Sequence, residues 1–529
     1  MHNAFPIFKK WVPDWLVKVI LFIVILPSLV LFFLPMANVN AAAGYYGSEP
    51  LDIQFAVALF YAGYVGFYSL ERRFFSFLAT KEYFIIFTFL QIITAFICFQ
   101  THELYVLFPV RFFQGMLFSC SVNLSLSLMF TRLHSERARE ISFSVFFGML
   151  LCALAFNNFV TADLIDNFNF NLVYKAAVFS YLPGLAFLLL CMNNIRLNIR
   201  FPLYYLDWAS FALYSIILCL SAYILIFGQE YYWLDDPRIR NGVITLILCL
   251  TVYLLRQRSM KRPYLDLGIF RFRNFKVGIL LLLIMYICRF ASGLTNTFFA
   301  TVLRFDPMHV SYINLINIAG LVTGVIIACC LILQKRNIRF IWLCGFTMLL
   351  AFHIMMFFIF DTEANENNFF TPLFLQGLGV GLIMVPTIVY SISAVPMSMG
   401  ASASAFCLYI RYFGFCISIA IINYFELLGK GRHFSAFQDH LTKLDPAVKQ
   451  LYSTNPTHLL EKGLTQSRAL KATNKLLVSS LNGQTHIRFA MDYYEMMSWL
   501  LIGTLLLIAL FPHLNKTVAY LKSRRLSPS

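Results

Sequence analysis

Charge is what this sequence has least of. Asp, Glu, Lys and Arg make up 12% of its 529 residues, and the 25 acids are outnumbered by 57 phenylalanines. A water-soluble chain carries about twice that share of charge to cover its surface, so a soluble globular fold is excluded. Chemistry-bearing constellations are also missing. The 12 cysteines, among them Cys98, Cys120, Cys288 and Cys416, fall inside apolar runs with no metal-ligand spacing. They read as small hydrophobes, and the sequence implies no metal and no cofactor. No Ser/His/Asp set, Walker loop or dinucleotide fingerprint occurs. Catalysis and ATP-driven pumping on this chain are therefore not expected. A small-residue cleavage site is lacking behind Lys9, Lys10 and Lys18, so the first apolar stretch reads as retained.

What the sequence does have is long apolar runs, with a mean hydropathy of +0.72. Fourteen of them, from 15–36 to 494–514, have the roughly 20-residue length that crosses a bilayer as a helix. They do not alternate polar and apolar residues as strands of a membrane barrel would. The expected fold class is all-α and polytopic.

The net charge of +16 is distributed as an orientation signal. Alternating the spans puts 25 of the 41 Lys and Arg on the side of the termini, including Arg72, Arg73, Arg137 and Arg336. Short loops on the other side hold only Arg238, Arg240 and Arg304. This places both termini in the cytoplasm and argues against nucleic-acid binding. The segment 426–493 is the one sizeable polar piece, and its leucines suggest short amphipathic helices, separated at 453–457 by a proline.

Several stretches, in order, resemble the fourteen-span EmrB/QacA-type drug:proton antiporters of the major facilitator superfamily. The fourth span carries Arg111-Phe-Phe-Gln114-Gly115, followed by Ser135-Glu136-Arg137. The eighth-to-ninth connection reads Arg262-Pro263-Tyr264-Leu265-Asp266-Leu267. Later come Gln376-Gly377, Gly379, Gly381 and Pro386, then Arg411-Tyr-Phe-Gly414. Three family features depart from the pattern. The second-to-third loop, Gly66-Phe-Tyr-Ser-Leu-Glu71-Arg72-Arg73, is a degraded version of its motif, the fifth span lacks its Gly-Pro, and the first span has no acid.

The resemblance implies a six-helix lobe over 1–200, two additional helices over 201–260 and a second six-helix lobe over 261–529, with 426–493 as an outer loop. It also implies secondary export of amphiphilic small molecules by alternating access, coupled to protons, in a cell inner membrane. A periplasmic adaptor protein docking on 426–493 would be the partner. Two alternatives stand beside this: an organic-anion carrier not tied to protons, and a non-transporting receptor or membrane-embedded enzyme.

Charged residues inside lipid are costly and usually face a polar cavity. Arg111 and Gln114 share one helical face, either lining a cavity or bonding helix-end carbonyls. Lys175 can snorkel outward from the end of its span. Arg289, Ser292 and Asn296 form a polar stripe, again open to a substrate-binding or a helix-tying reading. Asn314 and Asn317 can bind a ligand or cross-link helices. His353, Asp52 and Glu103 are the candidates for proton coupling. Gly115, Gly377, Gly381, Pro386, Arg411 and Gly414 are read as packing or conformational positions.

Overall fold

The computed structural model describes residues 7–132, 137–167, 169–195, 206–260, 263–441, 446–461, 463 and 465–510. Ser135, Glu136, Arg262 and the residues after 510 lie outside it. Fourteen helices are long and apolar enough to cross a membrane. The face on which the first of them begins is called the near face here, and the opposite one the far face.

The first lobe consists of α1 (Asp14–Ala37), a short α2 (Val39–Tyr46) on the far face, α3 (Pro50–Phe77), α4 (Thr80–Gln100), α5 (Leu104–Arg132), α6 (Ala138–Asn167) and α7 (Leu172–Cys191). Two helices follow, α8 (Trp208–Phe227) and α9 (Pro237–Ser259). The second lobe is α10 (Arg273–Arg289), α11 (Ser292–Thr301), α12 (Pro307–Leu333), α13 (Ile338–Ile359), α14 (Glu366–Ser393), α15 (Gly400–Tyr424) and α18 (Gln466–Leu510). Between its last two spans lie α16 (Lys430–His440) and α17 (Pro446–Glu461).

Local chemistry explains many of the starts. Asp207, Asp236 and Asp306 each accept a backbone N–H in the first turn of α8, α9 and α12, and Pro237 and Pro307 take positions where no N–H is needed. The lobes repeat one packing scheme. In the first, α3 lies on α5 and α4 on α7; in the second, α12 lies on α14 and α13 on α18. Small residues allow the close approach. A Cβ on Gly115 would sit 1.8 Å from the Phe60 carbonyl oxygen, and one on Gly63 would sit 2.0 Å from that of Phe112. Across the second lobe, a Cβ on Gly377 would lie 2.3 Å from the Asn317 oxygen, one on Gly381 2.7 Å from the Leu321 oxygen, and one on Gly320 2.2 Å from the Phe374 oxygen. These seams admit backbone against backbone, as small-residue motifs do in membranes.

The lobes meet along α6 with α12 and along α3 with α15, and α8 packs beside that second seam. Near-face contacts include Tyr68 with Ser404 at 2.8 Å, and Arg137, which donates to the carbonyls of Ile332 and Leu333 at the end of α12. A cation there also suits the helix C-terminus. Far-face contacts include Asn423 with Gln54 at 3.4 Å, and the rings of Phe159 and Tyr312. The lobes therefore touch on both sides of the membrane centre.

Three details differ from the sequence reading. The ninth span is two helices, α10 and α11, separated by a turn at Phe290-Ala291. The last span is continuous with the polar segment before it: α18 is one helix of 45 residues that projects well beyond the far face. The proline stretch does not separate helices, because α17 runs through Pro456. Docking on α18, where Tyr452 bonds Asn474, holds α17 across the one backbone bond a proline forfeits.

Candidate functional site

The polar residues of the membrane interior fall into separate places. Arg111 is fully buried inside the first lobe. Its Nη1 donates to the Leu31 oxygen at 2.9 Å and to Gln114 Oε1 at 2.9 Å, and its Nη2 donates to the Phe32 oxygen at 2.7 Å. The reason lies in α1. Pro35 has no N–H, so the helical partner of the Leu31 carbonyl is missing, and the guanidinium supplies it. Arg111 and Gln114 thus tie α5 to α1 beside Pro35 and line neither cavity described below.

The equivalent spot in the second lobe is built differently. Gln376-Gly377 in α14 repeats Gln114-Gly115 in α5. Gln376 Nε2 donates to the Arg289 carbonyl at 3.1 Å, just where α10 ends. Asn317 Nδ2 donates to the Leu373 oxygen at 2.9 Å and to Gln376 Oε1 at 3.2 Å. Asn314 Nδ2 donates to Asn296 Oδ1 at 3.0 Å. With the Asn158 amide turned to donate to the Ala37 and Leu154 carbonyls, its oxygen accepts from Asn296 Nδ2 at 3.3 Å. A chain of amides therefore runs from α6 of the first lobe into α11 and α12 of the second.

These groups surround a narrow cavity between the lobes, with about 40 Å³ of room. Arg289, Ser292, Asn296, Asn314 and Asn317 all line it, so the structure brings five sequence candidates together. Asn158 and Gln376 line it as well and were not singled out from sequence. The repeated Gln-Gly pair was the available signal for Gln376. Leu151, Leu154, Leu321 and Val380 give the cavity an apolar side. Arg289 is 8% exposed. Its Nη2 donates to the Leu151 oxygen across the lobes at 3.2 Å, and its charge lies 5.1 Å from the centre of the Phe290 ring. No carboxylate is among the described lining residues. The start of α11 faces the same space and adds the positive end of a helix dipole. A chamber with a fixed cation, amides and apolar walls suits a solute with a polar or anionic head and an apolar body.

The proposed coupling residues lie elsewhere. His353 is buried where α13 meets α18, with Nδ1 2.8 Å from the Leu349 oxygen and its ring near Tyr494. Asp52 accepts the Glu49 N–H at the far end of α3. Glu103 stands exposed before α5. Gly414 packs against Tyr286, where an added Cβ would lie 2.7 Å from the tyrosine Cβ, and Pro386 is buried within α14. Lys175 is exposed near the start of α7. Arg411 faces a second space between the lobes.

No protein-family model matches the chain. Curated relatives do. The multidrug export protein EmrB of Escherichia coli K12 is 21% identical over 405 residues, covering 74% of this chain and 76% of that one. The fatty acid resistance protein FarB of Neisseria gonorrhoeae is 22% identical over 297 residues, covering 54% and 53%. The colistin resistance protein EmrB of Acinetobacter baumannii is 22% identical over 229 residues, covering 41% and 42%. Among solved structures, a POT family transporter in complex with 5-aminolevulinic acid superimposes with a TM-score of 0.64 at 12% identity, covering 97% of this chain and 99% of that chain. The nucleoside transporter NupG gives 0.54 at 12% identity, covering 92% and 99%. With its fourteen spans and two repeated lobes, the chain has the fold of these membrane transporters and is similar in sequence, at low identity, to EmrB-type multidrug export proteins.

Proposed function

We propose that this protein exports amphiphilic small molecules across a membrane by alternating access. The observation that carries the proposal is the polar cavity between the two lobes, with Arg289 and the amides of Asn296, Asn314, Asn317 and Gln376 on its wall. The relatives, named for multidrug export and for resistance to fatty acids and colistin, support amphiphiles as the solute class. The contacts between lobes on both faces support an occluded stage of a rocking cycle. In this reading the near face is cytoplasmic, the membrane is a cell inner membrane, and coupling is to protons. The helices α16, α17 and the projecting part of α18 would offer the docking place for a periplasmic adaptor.

A second reading, an organic-anion carrier without proton coupling, is favoured by one observation: the described cavity wall presents an arginine and no carboxylate. Transport in proteoliposomes separates the two. Proton-coupled export predicts flux of amphiphiles that rises with an imposed pH gradient. Flux of anions that follows the membrane potential and ignores the gradient supports the second reading. No flux of either kind overturns both.

A further inference from the structure

A second, narrower space with about 20 Å³ of room lies between the lobes, in the near-face half of the membrane. Tyr64 and Tyr68 of α3, Asn123 of α5, Phe147 of α6 and Arg411 of α15 contribute to its wall. Arg411 is 4% exposed, and its Nε and Nη1 have no hydrogen-bond partner among the described residues. Its charge sits 5.0 Å from the centre of the Phe147 ring. No carboxylate is among the described residues that line this space. The nearby Glu71 is engaged by Asn123 Nδ2 at 2.8 Å and by Tyr83.

A buried cation without a counter-ion is strongly disfavoured, and one ring contact, worth about 2 kcal/mol, offsets only part of that. Unspent buried donors add to the cost. Arg111 shows how this chain treats a structural arginine, with three hydrogen bonds to neighbouring groups. Arg111 leaves only its Nε over, whereas Arg411, held among aromatic side chains, leaves both Nε and Nη1 over. A carboxylate or sulfonate would satisfy those donors and neutralise the charge, and the Tyr and Phe faces would accept a flat apolar body.

The two spaces are related through Tyr286. Its hydroxyl lies 3.5 Å from Arg289 Nη1, and Gly414, three residues beyond Arg411, packs against its Cβ. We propose that Arg411 forms a second, near-face binding station for the anionic head of an aromatic amphiphile, from which the solute passes Tyr286 to the Arg289 cavity. This rests on the transport reading above, and it names the substrate class and the order of sites.

The test is equilibrium binding of pyrenebutyrate to the full-length protein in lipid nanodiscs, with uncharged pyrenebutanol as the comparison. The wild type should prefer the carboxylate. R411Q should lose about tenfold in pyrenebutyrate affinity while holding pyrenebutanol as before, and R411K should recover part of the loss. A wild type with no preference, an unchanged R411Q, or an equal loss of both probes overturns the station. If R411Q does not insert, Leu126→Trp fills the space without removing the guanidinium, and retained pyrenebutyrate binding then overturns it. Flux through wild-type proteoliposomes is measured in parallel. Intact flux with an unaltered R411Q defeats the station alone, whereas absent flux of any amphiphile defeats the transport reading.

Discussion

Arg111 donates to the carbonyl of Leu31, the very group whose helical partner Pro35 removes. The two halves of that relationship stand in different helices, and each explains the other. Pro35 withdraws a donor from α1 without leaving an orphan acceptor, and Arg111 is buried with both Nη atoms spent on oxygen acceptors. R111L should therefore destabilise the folded protein by about 2–3 kcal/mol, read as a lower thermal midpoint in nanodiscs. In a Pro35→Ala background, the restored backbone N–H can serve the Leu31 carbonyl, so the same substitution should cost measurably less. Equal costs in both backgrounds would show that the two residues act independently.

The glycine seams make a sharper prediction. Gly115→Ala places a Cβ 1.8 Å from the Phe60 oxygen, and Gly377→Ala places one 2.3 Å from the Asn317 oxygen. Backbone cannot yield as a side chain does, so each should cost about 1–3 kcal/mol and lower the yield of monodisperse protein. Gly503→Ala meets nothing within 4 Å and is the matched control. A control as damaging as the seam variants would remove the argument from close approach.

In the central cavity, R289Q should reduce flux of an anionic amphiphile about tenfold while the protein inserts normally, because the fixed cation of the wall is gone. H353N should leave both flux and its response to a pH gradient nearly unchanged, since His353 lies between α13 and α18 and off the cavity. A lost gradient response in H353N would return that histidine to the coupling path.

The sequence announced the spans well because a bilayer demands about twenty apolar residues per crossing, and that demand is local. Arg289, Ser292, Asn296, Asn314 and Asn317 could also be seen as odd polar residues in apolar runs, and they share one cavity. Arg111 looked the same from sequence. What separates it from Arg289 is a proline 76 residues earlier, whose effect on Leu31 is felt only after packing. Asn158 and Gln376 were hidden for a similar reason: their neighbours come from the opposite lobe or from the break after Arg289.

On the far face, Glu230 follows α8 beside Glu49 and Asp52. Partial burial first, then the two neighbouring carboxylates, raise its pKa above the ordinary glutamate value. The folded state therefore binds the proton more tightly than the unfolded one, so stability falls as pH rises from the ordinary glutamate range through the raised value. Acidifying through that window should stabilise the wild type. E230Q removes the penalty, so it should be more stable at neutral pH and show a flatter profile in acid, measured as thermal midpoint against pH. A wild-type profile that falls on acidification, with E230Q no different, would contradict this.

The central claim is that the two lobes rock about the cavity. Replace the 12 native cysteines, then introduce Tyr68→Cys with Ser404→Cys on the near face or Gln54→Cys with Asn423→Cys on the far face, and bridge each pair with a short, reducible thiol cross-linker. Flux of an amphiphile through proteoliposomes is then measured before and after reduction. The account predicts that either bridge stops flux and that reductant restores it; undiminished flux through a fully bridged protein would contradict it.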